Sequence, residues 1–286
     1  MNYLHFLLSL FFLFSCTNNK SLPTPIPEKQ TPARITKPEF QSILDSADIQ
    51  GAILIFDSEA NEYYSNDFTW SEKGQLPAST FKIPNSMIAL ETGVVKNDST
   101  LFKWDGAQRA FKIWEQDLLF RDAFKYSCVP CYQEIARDIG VDRMKQYIAK
   151  LDYGNIQVDA TNLDLFWLTG AARITPFQEI DFLKRFYNSK LPISKRTEKI
   201  VKKIMILKEH PSYTLSGKTG WSMDDDKNNG WFVGFVETKN KIYYFATNVE
   251  PYSNFDMALF PKIRKEVTYQ APVSYTHLTL PTNREV

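Results

Sequence analysis

The two hydrophobic periodicities of this chain are arranged in a way that leaves few folds open. Strand-like runs lie at both ends of the body, and helix-like patterns fill the middle. Residues 51–57 (GAILIFD) form one apolar run of buried-strand length, and residues 62–65 supply a hairpin partner. Far downstream, residues 216–221, 231–237 and 242–249 are apolar and aromatic runs separated by turn residues, with Lys239-Asn240 as a hairpin tip. From about residue 107 to 208 the apolar residues recur at helical spacing; Ile135, Ile139, Met144, Tyr147, Ile148 and Leu151 make one face. The expected fold class is therefore α+β: an antiparallel sheet assembled from both ends, flanked by helices, with an inserted all-helical lobe. The sheet lobe takes residues 39–105 and 209–270, and the helical lobe residues 106–208.

The edges of this body follow from smaller signals. Phe40, Ile43 and Leu44 sit at helical spacing, so the folded part begins near Glu39. Residues 80–90 read as a helix stopped by Gly93; Pro84 fits if the first turn is tight and the regular helix starts near Ile83. Residues 255–267 read as a closing helix with Met257, Phe260, Ile263 and Val267 on one face. Residues 271–286 show no apolar period and read as a disordered or non-native tail. At the other end, residues 4–14 are an apolar run too short to span a bilayer. They lead into Leu13-Phe14-Ser15-Cys16, which resembles the lipobox of bacterial lipoproteins. The expectation is an export signal over 1–15, a lipidated Cys16, and a linker to residue 38. Pro23, Pro25, Pro27, Pro32 and Pro38 should keep that linker extended and unpacked.

Composition excludes several function classes. With 34 Lys plus Arg against 33 Asp plus Glu, the net charge of +1 carries no nucleic-acid footprint. Three cysteines in 286 residues exclude a disulfide framework. Cys128 and Cys131 form a single C-x-x-C without the second pair a zinc ribbon needs. They read as two small buried residues, able to form one local disulfide after export, with free thiols the favoured state. His5, His210 and His277 are scattered, and Asp224-Asp225-Asp226 lacks the Glu that closes a calcium loop, so no metal site is expected.

Chemistry enters at Ser79-Thr80-Phe81-Lys82. A hydroxyl and an amine three residues apart share one face of a helical turn. A serine hydroxyl needs a nearby base to become a nucleophile, and a desolvated or carboxylated lysine can be that base. Lys218-Thr219-Gly220 opens an apolar strand, where Gly220 lets a ligand approach the backbone. S-x-x-K followed far downstream by K-T-G is the pairing of penicillin-recognising serine enzymes. Between them stand Ser127-Cys128-Val129, Tyr153-Gly154-Asn155, and Trp167 in an F-W-L-x-G run.

Taken in this order and spacing, the five elements resemble the class D (oxacillinase-type) serine β-lactamases over residues 40–270. The resemblance implies the penicillin-recognising serine-enzyme fold and hydrolysis of a small-molecule β-lactam. It implies Ser79 as nucleophile and Lys82 as general base, carrying CO2 from bicarbonate as a carbamate in an apolar pocket beside Phe81 and Val129. Trp167 would donate its indole N–H to that carbamate, and the backbone N–H groups of Ser79 and Trp221 would form the oxyanion hole. Ser127 would pass a proton to the leaving nitrogen, supported by Lys218. The substrate carboxylate would meet Thr219, Gly220 and Arg264. Phe111 and Met223 match an aromatic and a methionine that roof the pocket in carbapenem-hydrolysing relatives; ordinary cleft packing is the alternative. No metal is implied, and membrane contact is expected only through Cys16, in the periplasm. Two rivals share parts of this pattern. A β-lactam sensor domain would acylate without turning over, and a D-Ala-D-Ala peptidase would lack the Tyr153-Gly154-Asn155 and Trp167 elements.

Overall fold

The computed structural model describes residues 31–224 and 227–271. The expected export signal, Cys16, most of the linker and residues 272–286 lie outside the described residues. In chain order the elements are β1 (Ala33–Thr36), α1 (Pro38–Ser46), β2 (Ile49–Asp57), β3 (Glu62–Ser65), α2 (Phe68–Ser71), a 3-10 turn (Ala78–Phe81) and α3 (Lys82–Glu91). Next come β4 (Leu101–Phe102), a second 3-10 turn (Lys112–Trp114), β5 (Leu118–Leu119), α4 (Phe120–Lys125), α5 (Val129–Ile139), α6 (Val141–Leu151), α7 (Pro176–Tyr187) and α8 (Lys195–Ile204). The chain then returns to strands with β6 (Ile206–His210), β7 (Tyr213–Asp224), β8 (Lys227–Thr238) and β9 (Ile242–Pro251), and closes with α9 (Phe260–Gln270).

Seven strands form one sheet in the order β1-β3-β2-β9-β8-β7-β6. β2 from the N-terminal end pairs antiparallel with β9 from the C-terminal end, Ile49 opposite Pro251 and Asp57 opposite Tyr243. The two ends do build one sheet, as the pattern of apolar runs requires. Alternation assigns each strand's side chains to two layers. Ile53, Ile55, Phe232, Phe245 and Val249 pack with Phe40 and Leu44 of α1 and Phe260 and Val267 of α9. Leu54, Phe56, Trp231, Val233 and Ala246 face the other way, into a core shared with α3, α5, α6, α7 and α8. Both faces are covered, which is why β2 and β8 read as unbroken apolar runs and not as alternating ones. Because the helical lobe and the sheet share that second core, the described body from Pro32 to Ala271 is one unit.

Five expectations need correction. The folded body begins at Ala33 and not near Glu39: β1 pairs with β3, Ala33 opposite Glu62 and Thr36 opposite Ser65. Its flanking prolines keep the segment extended, and an extended segment can add to a sheet edge. That pairing is parallel, so the sheet is mixed and not purely antiparallel. The helical lobe is interrupted by β5, which pairs with β4 in a small two-stranded ladder. The last helix starts at Phe260 rather than 255, since Pro261 has no N–H to donate and fits only in a first turn. Ala271 is buried against α9 and the sheet, so the tail cannot be cut cleanly at Gln270. α3 begins at Lys82, directly after the tight turn, with Pro84 in its first turn as expected.

Candidate active site

Ser79 lies on the 3-10 turn that runs into α3. Ala78 before it has φ +50, a left-handed conformation rarely taken by residues with a Cβ. Three contacts hold this turn. Pro77 O accepts from Thr80 N at 3.1 Å and from Thr80 Oγ1 at 2.7 Å. Leu76 O accepts from Asn229 Nδ2 at 3.0 Å and Trp231 Nε1 at 2.8 Å, both from β8. β7 passes so near that a Cβ on Gly220 would lie 3.1 Å from Pro77 O and 3.3 Å from Ala78 Cβ. That approach is the physical need for glycine at this place, and it brings the Gly220-Trp221 backbone beside the nucleophile turn.

One helical turn on, Lys82 is 1% exposed and its Nζ donates to Ser79 Oγ at 3.1 Å. Burial pushes the amine down to about 7, so a large fraction of it is neutral near neutral pH. The Tyr132 ring lies 4.9 Å from Nζ. Phe81 stacks on Trp167 with ring centroids 5.7 Å apart, which packs the indole against the segment carrying Ser79 and Lys82. Trp167 is completely buried, and its Nε1–H has no hydrogen-bond partner among the described residues. A buried donor without a partner is costly. A neutral buried amine and an unmatched buried donor are the two features a carboxylated lysine needs: one to react with CO2, the other to bind the resulting anion. The residues present fit that group.

Ser127 sits at φ +53 just before α5, and Lys218 Nζ donates to its Oγ. Lys218 also donates to Thr219 O at 3.0 Å. Burial, then the charges of Lys82, Arg264 and Lys265, hold the Lys218 amine well below its usual value. Basic side chains gathered in one place, with Arg264 the one that keeps its charge, suit an anionic ligand. A cavity of about 520 Å³ borders Gly217, Lys218 and Thr219 and runs toward Phe124, Lys125 and Lys265. Directly after Ser127, Cys128 and Cys131 form a disulfide, which corrects the expectation of free thiols. The first turn of α5 sets their Cα atoms 5.5 Å apart, within the usual span of the bond.

Arg264 of α9 donates to Gly220 O and stacks over the Trp221 ring at 5.9 Å, so the expected carboxylate-binding arginine does meet the Lys218-Thr219-Gly220 strand. Burial lowers its guanidinium to about 10. Thr219 and Trp221 are half-buried on β7, and Val129 is half-buried at the start of α5. Phe111 packs edge-on against Trp114, and Met223 stands near the end of β7. Both are exposed, at 50% and 63%, so neither is buried under a closed roof.

Sequence reasoning missed several residues that build the site. Tyr153-Gly154-Asn155 does not reach the reacting groups directly. Asn155 and Arg173 exchange backbone hydrogen bonds of 2.7 and 2.8 Å, Gly154 needs φ +62 there, and Ile174 pairs with Gln75 just upstream of the nucleophile turn. Tyr153 donates to Glu179 Oε1 at 2.8 Å, and Thr80 Oγ1 lies 2.7 Å from the same atom. Glu179 and Tyr132 carried no motif; a buried Glu on the inner face of a helix was the one available signal. Among the described residues no cluster of His, Cys, Asp or Glu could hold a metal, and no helix is long and apolar enough to cross a membrane.

The penicillin-binding-protein transpeptidase domain family matches residues 47–268. The chain is 39% identical to β-lactamase OXA-48 of Klebsiella pneumoniae over 224 residues, 78% of this chain and 84% of that protein. It is 42% identical to β-lactamase OXA-10 of Pseudomonas aeruginosa over 205 residues, 71% and 77% of the two chains. Among solved structures, the class D β-lactamase of Sebaldella termitidis superposes with TM-score 0.79 at 36% identity, covering 84% of this chain and 96% of that one. The class D β-lactamase YbXI from Nostoc superposes with TM-score 0.75 at 43% identity, covering 80% and 96%.

Proposed function

The chain belongs to the class D β-lactamases, and from that premise we propose how its own residues open a β-lactam. It is a serine hydrolase: a serine attacks the lactam carbonyl, the ring amide breaks, and water releases the acyl group, which inactivates the antibiotic and gives resistance. In our reading Ser79 is that serine. The observation that carries the assignment is Lys82 Nζ, buried and close to neutral, 3.1 Å from Ser79 Oγ. A neutral amine there can take the hydroxyl proton as the nucleophile attacks. Carboxylated on Nζ, Lys82 would instead offer an anionic oxygen base beside Ser79, held by the unmatched Trp167 Nε1–H, with no metal involved.

The remaining roles follow from position and charge. The backbone N–H groups of Ser79 and Trp221 would bind the oxyanion, on two segments that Gly220 lets approach closely. Ser127, tied to Lys218, would hand its proton to the leaving nitrogen and regain one through Lys218. The guanidinium of Arg264, at Gly220 O, with Lys265 on the same helix, would draw the substrate carboxylate to Thr219 and Gly220. Val129, Trp221, Phe111 and Met223 would line the entrance, and the exposure of the last two leaves them free to close on a bound substrate. The short apolar run before Cys16 supports export to the periplasm and a lipid anchor on that cysteine.

Nitrocefin and oxacillin turnover by the purified chain from Lys20 onward, with bicarbonate stripped and then restored, tests the reading. Multiple turnovers that rise with bicarbonate support it. One stoichiometric burst without turnover, even in bicarbonate, would overturn it in favour of a protein that only acylates.

A further inference from the structure

Glu179 is the buried acid that the mechanism leaves unused. It lies on the inner face of α7, 0% exposed, and its Oε2 has no partner among the described residues. Its Oε1 meets two hydroxyls, Thr80 Oγ1 at 2.7 Å and Tyr153 OH at 2.8 Å. Thr80 immediately follows Ser79, and the same Oγ1 lies 2.7 Å from Pro77 O on the far side of the turn. We propose that Glu179 is a positioning residue for the nucleophile, acting through Thr80 to hold the strained turn Ala78–Phe81 in its attacking geometry. The proposal rests on Ser79 being that nucleophile.

A proton count connects this role to ionisation. Three oxygen–oxygen contacts of 2.7–2.8 Å must be satisfied, Tyr153 to Glu179, Glu179 to Thr80 and Thr80 to Pro77 O, beside a longer one of 3.2 Å between Thr80 Oγ1 and Tyr153 OH. With the carboxylate ionised, only the Thr80 and Tyr153 protons are available, so one contact faces lone pair against lone pair. With the acid protonated on Oε1, Tyr153 donates to Glu179, Glu179 donates to Thr80, and Thr80 donates to Pro77 O. All three contacts then carry a hydrogen bond, and Pro77 O keeps its side-chain donor. Burial favours the same neutral form, pushing the carboxyl up to about 7 against the pull of the two hydroxyls.

Charges on the neighbouring elements are engaged elsewhere. On α7, Asp181 pairs with Arg185 at 2.7 Å and Lys184 lies over the Phe56 ring of β2. On β2, Asp57 accepts from the backbone of Glu59 and Ala60; on β8, Glu237 acts on Tyr187 and on Tyr244 of β9. Tyr153 itself stays protonated, its phenol raised well above the usual value by burial. When Glu179 ionises, Thr80's proton turns to the carboxylate and the turn loses one side-chain hydrogen bond.

The test compares wild type, Glu179→Gln and Glu179→Met by the rate of covalent labelling with a fluorescent penicillin, in bicarbonate, from pH 6 to 9. A glutamine amide cannot ionise; its NH2 at the Oε1 position donates to Thr80 and so leaves the Thr80 proton on Pro77 O as in the neutral form, while its contact with Tyr153 runs the other way, amide to phenol. The ratio of Gln-variant to wild-type rate at each pH cancels the titration of Lys82. That ratio should rise about three- to tenfold across neutrality, the worth of one neutral hydrogen bond. The Met variant should label about tenfold more slowly at pH 6, with the Gln variant restoring the rate. A flat ratio overturns the ionisation role, and unchanged labelling of the Met variant overturns the positioning role. Should the Met variant fail to fold, the Gln ratio decides alone. Labelling that survives in Ser79→Ala would fault the nucleophile assignment itself, and this inference with it.

Discussion

Replacing Lys82 by methionine should make the protein more stable while removing its activity. Lys82 is 1% exposed, and burial pushes its amine from the usual 10.5 to about 7. A lysine that prefers to be neutral when folded and charged when unfolded opposes folding at neutral pH. At about 1.36 kcal/mol per pH unit, the shift costs about 4 kcal/mol at pH 7. Methionine has a similar length and no charge, and it gives up the hydrogen bond to Ser79 Oγ, worth about 1 kcal/mol. The variant should gain about 3 kcal/mol, or roughly 6–12 °C in Tm for a body of this size.

The sign of the pH dependence separates this from simple repacking. Between pH 7 and 10.5 the unfolded chain holds a proton on Lys82 that the folded chain has lost. Wild-type stability therefore rises relative to the variant across that window, closing the gap by about 2 kcal/mol between pH 7 and 9. Urea unfolding of both proteins in bicarbonate-free buffer at several pH values measures this. Added bicarbonate should stabilise only the wild type, since a group that binds the folded state alone shifts the equilibrium toward it. A variant no more stable than wild type at pH 7, with a gap that does not change with pH, would refute the claim that Lys82 is a desolvated amine.

Other outcomes follow from the same geometry. Ser79→Ala should abolish covalent labelling by a fluorescent penicillin, read on a denaturing gel. Trp167→Ala should slow deacylation more than acylation, by about 10- to 100-fold if its indole holds an anion on Lys82, as stopped-flow traces would show; equal losses in both steps would argue against that role. Arg264→Ala should raise KM for penicillins about tenfold or more with a smaller change in kcat, since it removes a cation that binds the carboxylate in ground and transition state alike. Reducing Cys128–Cys131 should lower stability by about 2 kcal/mol at most, because the loop it closes is so short.

Much of the site was legible in the sequence because its chemistry is locally spaced. Ser79 and Lys82 share a helical turn, and Lys218, Thr219 and Gly220 share one strand, so residue type and interval predict their grouping. The strands of the sheet were equally plain, since burial on both faces writes an unbroken apolar run. The start of the body at Ala33 was hidden, because an edge strand gains its partner from β3 and carries little apolar signal of its own.

What only the tertiary structure decided is long-range. Thr80 and Glu179 are 99 residues apart, and Leu76 is held by Asn229 and Trp231 more than 150 residues away. Nothing local marks such pairs, because a buried polar contact is set by how two surfaces meet and not by spacing along one element. The same holds for the lowered amine of Lys82: the sequence supplies a lysine, and only the packing that buries it, with the Tyr132 ring 4.9 Å from its Nζ, excludes water and shifts its proton. Residue identity and interval determined which groups could react; packing decided their charge.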